Sequence, residues 1–232
     1  MSNAHSHAAH TTGEHNPHLA HHFDTMGQQA GAAKLGMWLF LATELLMFSG
    51  LFLAYFVIRG FYPDMVLGAH EYLSKTAGGI NTCVLLFSSY TMAMAVRSAQ
   101  VGRPNNQEDA ARIKKYLILT LLCAGIFLVV KYFEYSAKFE HGMLPGKYYT
   151  AFEHGYYIPG NPHIFFAVYF CMTGLHGIHV LVGIGVLTWV YIRASKGHFG
   201  PNYYTPVENV GLYWHLVDLI WIFLFPLLYL VR

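Results

Sequence analysis

Leu35-Gly-Met-Trp-Leu-Phe-Leu-Ala-Thr-Glu-Leu-Leu-Met-Phe-Ser-Gly-Leu-Phe-Leu-Ala-Tyr-Phe-Val-Ile58 carries one formal charge, the carboxylate of Glu44. At about 1.5 Å of rise per residue, a helix through this run crosses a hydrocarbon core of roughly 30 Å. Glu44 then lies inside the bilayer, where a charge costs several kcal/mol and such residues face protein or water. One reading makes Glu44 a protonatable site on an ion or proton path. The other makes it a neutral acid that hydrogen-bonds a neighbouring helix or subunit and fixes packing.

Working outward, four more apolar runs follow, at about Gly79–Val96, Ile113–Phe133, Ile164–Ile192 and Val210–Val231. Runs near twenty residues suit helices, because lipid forces each span to satisfy its own backbone, whereas barrel strands need only about ten. The expected fold is therefore all-α, an integral membrane bundle of five transmembrane helices. Composition agrees: 55% of the residues are hydrophobic and 11% charged, against about 25% charged in soluble domains. A net charge of +2, scattered between apolar runs, excludes a nucleic-acid surface.

Residues 1–33, rich in His, Ala and Gly, read as a mobile cytoplasmic tail ahead of a transmembrane domain over 34–232. Seven histidines between His5 and His22 could bind a divalent metal weakly, but a flexible segment does not preorganise ligands. Arg97, Arg103, Arg112, Lys114 and Lys115 form the densest cationic loop. Cations favour the cytoplasmic side, which puts the amino terminus inside and the carboxyl terminus outside. The loop from Glu134 to Pro162 reads as Gly- and Pro-rich turns, a candidate cap or contact surface.

On the fifth span, His215 and Asp218 are three apart on one face and enter from the same side as Glu44. They read as a mutually satisfied pair or as part of a polar cluster with Glu44. His176 and His179 on the fourth span invite a haem or metal reading, with His215 as a second axial ligand. Their shared face and the nearby Gly174, Gly177, Gly183 and Gly185 point instead to close helix contact, with the imidazoles as interhelical donors. Lys131, at the end of the third span, can reach the interface along its own stem or pair with Glu134. Trp38, Trp189, Tyr191, Trp214 and Tyr229 lie toward span ends as candidate interfacial anchors. The three cysteines sit in separate runs, and the chain carries no phosphate loop, hydrolase elbow or zinc-protease motif.

Several of these segments together resemble one family. Lys34-Leu-Gly-Met-Trp-Leu-Phe-Leu-Ala-Thr-Glu44-Leu-Leu-Met-Phe, Ile80-Asn-Thr, Phe133-Glu134-Tyr135, Thr173-Gly-Leu-His176-Gly-Ile-His179-Val and Tyr213-Trp-His215-Leu-Val-Asp218-Leu-Ile-Trp221 are similar to subunit III of haem-copper oxidases. The resemblance runs through all five spans in order. It implies a short five-helix bacterial form, without the two amino-terminal helices of the longer one, in the cytoplasmic membrane. It further implies a non-catalytic subunit that binds no haem or copper itself and packs on catalytic subunit I, with subunit II and small subunits in the same complex. Such a subunit binds phospholipid and supports proton uptake and durability while oxygen is reduced to water. By the same resemblance Glu44 matches the family's intramembrane acid. His176, His179, Glu208, His215 and Asp218 match recurrent polar positions.

Cytochrome c oxidase is the expected host, although the spans leave a quinol donor open. The rival readings are an accessory subunit of a nitric oxide reductase, a haem-binding membrane cytochrome and an ion transporter built around Glu44.

Overall fold

The computed structural model describes residues 19–102, 106–201 and 203–230. Most of the His-rich segment, His5 to His18, and Arg103 lie outside the described residues. Six helices form: α1 (Met26–Phe61), α2 (Pro63–His70), α3 (Lys75–Val101), α4 (Gln107–Glu140), α5 (Pro162–Ser195) and α6 (Thr205–Tyr229). Five of them, all but α2, are long and apolar enough to cross a membrane. The bundle is all-α, as the runs predict.

α1, α3, α4 and α5 outreach their apolar runs at both ends and α6 at its start, where polar residues or prolines open the helices. Thr25 Oγ1, Ser74 Oγ and Asn106 Oδ1 accept from Gln28 N, Ala77 N and Glu108 N at the starts of α1, α3 and α4. Prolines open α2, α5 and α6, where the missing N–H costs nothing. α1 thus begins at Met26, ahead of the apolar run, and α4 continues past Phe133 to Glu140. The α4–α5 connection holds two short 3₁₀ turns, Gly146–Tyr148 and Ala151–His154. It closes where Gly142, at φ 65°, lets its carbonyl accept from Thr150 N at 2.9 Å.

α6 is the axis of the bundle, packed on α3, α5 and α1, while α3 pairs with α4 and α4 with α5. Half of its apolar window is buried, against 17% for α1, which lies on the flank. Trp214 and Trp221 of α6 are completely buried. Each has its indole N–H satisfied by α3, through Ser88 Oγ at 2.8 Å and Thr82 Oγ1 at 3.1 Å. Tyr55 closes α1 onto the other end of α6 by donating to the Leu227 carbonyl, one of the orphan acceptors of the last turn.

Several expectations about single residues are corrected. Trp214 and Tyr229 are core residues with no exposed surface, while Trp38 and Trp189 remain on the surface of the bundle. Of the four α5 glycines, only Gly183 is demanded by packing: a Cβ there would meet Trp214 Cζ3 at 2.6 Å. Gly177 and Gly185 face open space, and Gly174 would meet only Tyr135 Oη at 3.8 Å. Gly78, under Phe225, and Gly211, against Val96, are tight at helix contacts in the same way. Periodicity could not separate these groups, since the distinction depends on which face of α5 meets α6.

Candidate functional site

Three polar assemblies lie within the bundle. The first joins α1 to α5. Glu44 Oε2 stands 2.9 Å from His179 Nε2, with side chains 17% and 14% exposed. His179 Nδ1 lies 2.8 Å from the Leu175 carbonyl, which can only accept, so Nδ1 carries a hydrogen. Nε2 is then either an acceptor from a protonated Glu44 or an imidazolium donor to a carboxylate. Both descriptions place one proton between the two atoms and leave the pair neutral. Tyr213 Oη donates to the His179 carbonyl at 2.9 Å, and Phe48 sets its edge against the imidazole at 5.2 Å. Glu208 is distant in role: it bridges to Lys34 at 3.0 Å and ties the first turn of α6 to α1.

The second assembly contains His215 and Asp218, and the expected pairing between them is not what forms. His215 Nδ1 turns to Ser89 Oγ on α3 at 2.7 Å. Asp218 is 2% exposed, and the polar side chain beside its carboxyl group is that same Ser89, whose hydroxyl already meets His215. One helical turn aligns the two side chains, but α3 offers its hydroxyl to the histidine. His176 is also fully buried with neither nitrogen bonded among the described residues, held between Phe127 at 5.4 Å and Trp221 at 5.2 Å. Glu44, His215 and Asp218 therefore do not form one cluster: Glu44 belongs to α5, His215 to α3.

The third assembly was only half legible in the sequence. Glu134 on α4 is 3% exposed, and its carboxylate accepts four bonds. Tyr229 and Tyr169 hydroxyls donate to Oε1 at 2.6 and 2.9 Å, and Lys138 reaches the same oxygen at 3.2 Å. Lys131 donates to Oε2 at 2.9 Å and to Tyr229 Oη at 2.7 Å, with its ammonium 4.6 Å from the Trp221 ring. Lys131 pairs with Glu134 as its spacing predicts, but it turns inward and does not extend to the interface. Lys138 was missed. The signal was present in Lys131-x-x-Glu134-x-x-x-Lys138, whose i, i+3 and i, i+7 positions share one helix face.

An axial haem between His176 or His179 and His215 does not suit this geometry. Both nitrogens of His179 are engaged, His215 is bonded to Ser89, and His176 is walled in by aromatic rings. Among the described residues no group of three or more His, Cys, Asp or Glu side chains gathers around a possible metal position.

Five long apolar helices around a mainly apolar core, with a few acids and bases paired at their contacts, define a multi-pass helical membrane protein. The family model described as cytochrome c oxidase subunit III matches residues 13–231, and the chain belongs to that family. The protein named cytochrome c oxidase subunit 3 from Corynebacterium diphtheriae is 32% identical over 204 residues, covering 85% of this chain and 87% of that relative. Proteins of the same name from Thermostichus vulcanus and Synechocystis sp. are each 31% identical. They cover 85% and 84% of this chain and 86% and 74% of their own lengths. Family membership makes the chain a cytochrome c oxidase subunit III-type protein.

Proposed function

We propose that the chain packs on catalytic subunit I of an aerobic cytochrome c oxidase, with subunit II and small subunits in the same complex. The complex lies in a bacterial cytoplasmic membrane, with the amino terminus of the chain inside. In this reading it binds phospholipid and supports proton uptake and lasting activity, while haem and copper reside in the partner subunits. The His-rich tail over residues 1–33 would lie on the cytoplasmic side, ahead of the domain over 34–232.

The observation that carries the proton role is the Glu44–His179 pair. It sets a carboxyl group and an imidazole within hydrogen-bond distance on the least buried of the five spans, with both side chains partly exposed. Along the same helix Leu35, Leu39, Leu46, Leu53 and Phe61 are each more than 60% exposed, an apolar surface suited to lipid or to a neighbouring subunit. Glu208, His215 and Asp218 serve interhelical packing in this reading, and His176 fills the core.

The test compares Glu44→Gln with Glu44→Ala in the purified oxidase complex. Gln can still hydrogen-bond His179 but cannot release a proton; Ala does neither. Both complexes should assemble and reduce oxygen, and both should show slower proton-linked turnover and a shorter active lifetime. If Glu44→Gln matches the parent in pumping and lifetime, the proton role is abandoned and only packing remains. Metal analysis of the co-purified core distinguishes a copper-containing oxygen reductase from a nitric oxide reductase.

A further inference from the structure

We propose that Lys138 binds the phosphate of a phospholipid in a cavity at the end of α4. The inference deepens the lipid-binding part of the function above by giving it a place and a charge.

It begins with an imbalance. Lys131 and Lys138 meet a single carboxylate, Glu134, and all three side chains are less than 10% exposed. One positive charge is left over in a buried setting, where an uncompensated ion costs several kcal/mol. The aromatic partners from α5 and α6, Tyr169, Tyr229 and Trp221, are uncharged donors or ring faces.

The surplus falls on Lys138. Lys131 spends its ammonium on Glu134, on Tyr229 and on the Trp221 ring. Lys138 makes one hydrogen bond, at 3.2 Å, to an oxygen that already accepts from two tyrosine hydroxyls, and its ammonium stands 5.0 Å from the Tyr169 ring. Two of its N–H bonds have no acceptor among the described residues. Lys138 lines a cavity of about 430 Å³ between α4, the first turn of α3 at Ser74 and Ala77, and His141, Met143 and Tyr156. Glu134 is the only acid lining it. The amino-terminal end of α3 adds a further positive contribution at the same opening.

Depth and surroundings select a lipid over a free anion. Taking about twenty residues for the hydrocarbon core from Lys115, Lys138 lies roughly 5 Å beyond the far edge, at phosphate level. Val130 and Phe133 also line the cavity, and Phe133 is 67% exposed on the surface of the bundle. A phosphodiester brings one negative charge, which balances the surplus, and acyl chains continue down the α4 surface.

Native mass spectrometry of the oxidase complex in mild detergent counts retained phospholipids after exchange into phosphatidylglycerol micelles. The parent should retain one more phosphatidylglycerol per copy than Lys138→Gln. Ala137→Trp, which fills the cavity from an exposed position and leaves the Lys138 side chain in place, should lose the same lipid. This second variant keeps the test decisive if Lys138→Gln impairs folding. Millimolar inorganic phosphate should leave the lipid in place; displacement would overturn the assignment to a lipid. Equal retention in the parent and both variants would overturn this site alone. A parent that retains no phospholipid would overturn the broader lipid-binding reading with it.

Discussion

Replacing Glu134 with Gln keeps the shape of the side chain and removes the only anion from the buried α4 cluster. In the parent, four donors converge on the carboxylate: Lys131, Lys138, Tyr169 and Tyr229. The amide can accept at one end only, and its NH₂ group turns a donor toward a lysine or a tyrosine hydroxyl. Two ammoniums then share a pocket in which their side chains are 9% and 5% exposed. Removing one partner of a buried ion pair costs about 3–5 kcal/mol, and at 1.36 kcal/mol per decade that is roughly two to four decades in the unfolding equilibrium. Graded SDS unfolding in mixed micelles, followed by tryptophan fluorescence, reads this loss. Adding Lys131→Met to Glu134→Gln removes one stranded cation, so the double variant should be more stable than the sum of single losses by about 1 kcal/mol or more. A Glu134→Gln loss within about 0.5 kcal/mol of the parent would refute the reasoning. Strict additivity would show that Lys131 and Glu134 do not act on each other.

The remaining expectations use the same unfolding measurement. Gly183→Val forces a side chain into Trp214 and should cost about 1–3 kcal/mol. Gly177→Ala and Gly185→Ala, which meet open space, should be neutral or slightly stabilising; equal losses at all three would mean that α5 is not packed as described. Asp218→Asn should hold or raise stability, because the buried acid has beside it Ser89, which His215 already engages, and gives up an unfavourable group. A loss above about 2 kcal/mol would reveal a partner for the carboxylate.

The third span shows how far a linear reading reaches. Its apolar run predicts a helix ending near Phe133, and the helix continues to Glu140, with Lys131 and Lys138 turned onto Glu134 beside Tyr169 and Tyr229. The tyrosines lie on helices far along the chain, so no local spacing could announce them. The same holds for Glu44: its isolation in an apolar run was plain, but its partner, His179, is 135 positions away. His215 and Asp218 illustrate the opposite hazard. Their three-residue spacing suggested a pair, and a hydroxyl from α3 took the histidine instead.

By itself the chain determined five membrane spans, an all-helical fold and the family, because lipid solvation imposes length and polarity on every segment separately and motifs are read in order. Only the tertiary structure decided which polar groups meet, which glycines are obligatory and where a buried charge is left uncompensated. Those outcomes depend on the rotation and depth of one helix against another, set by bulky contacts such as Trp214 on Gly183.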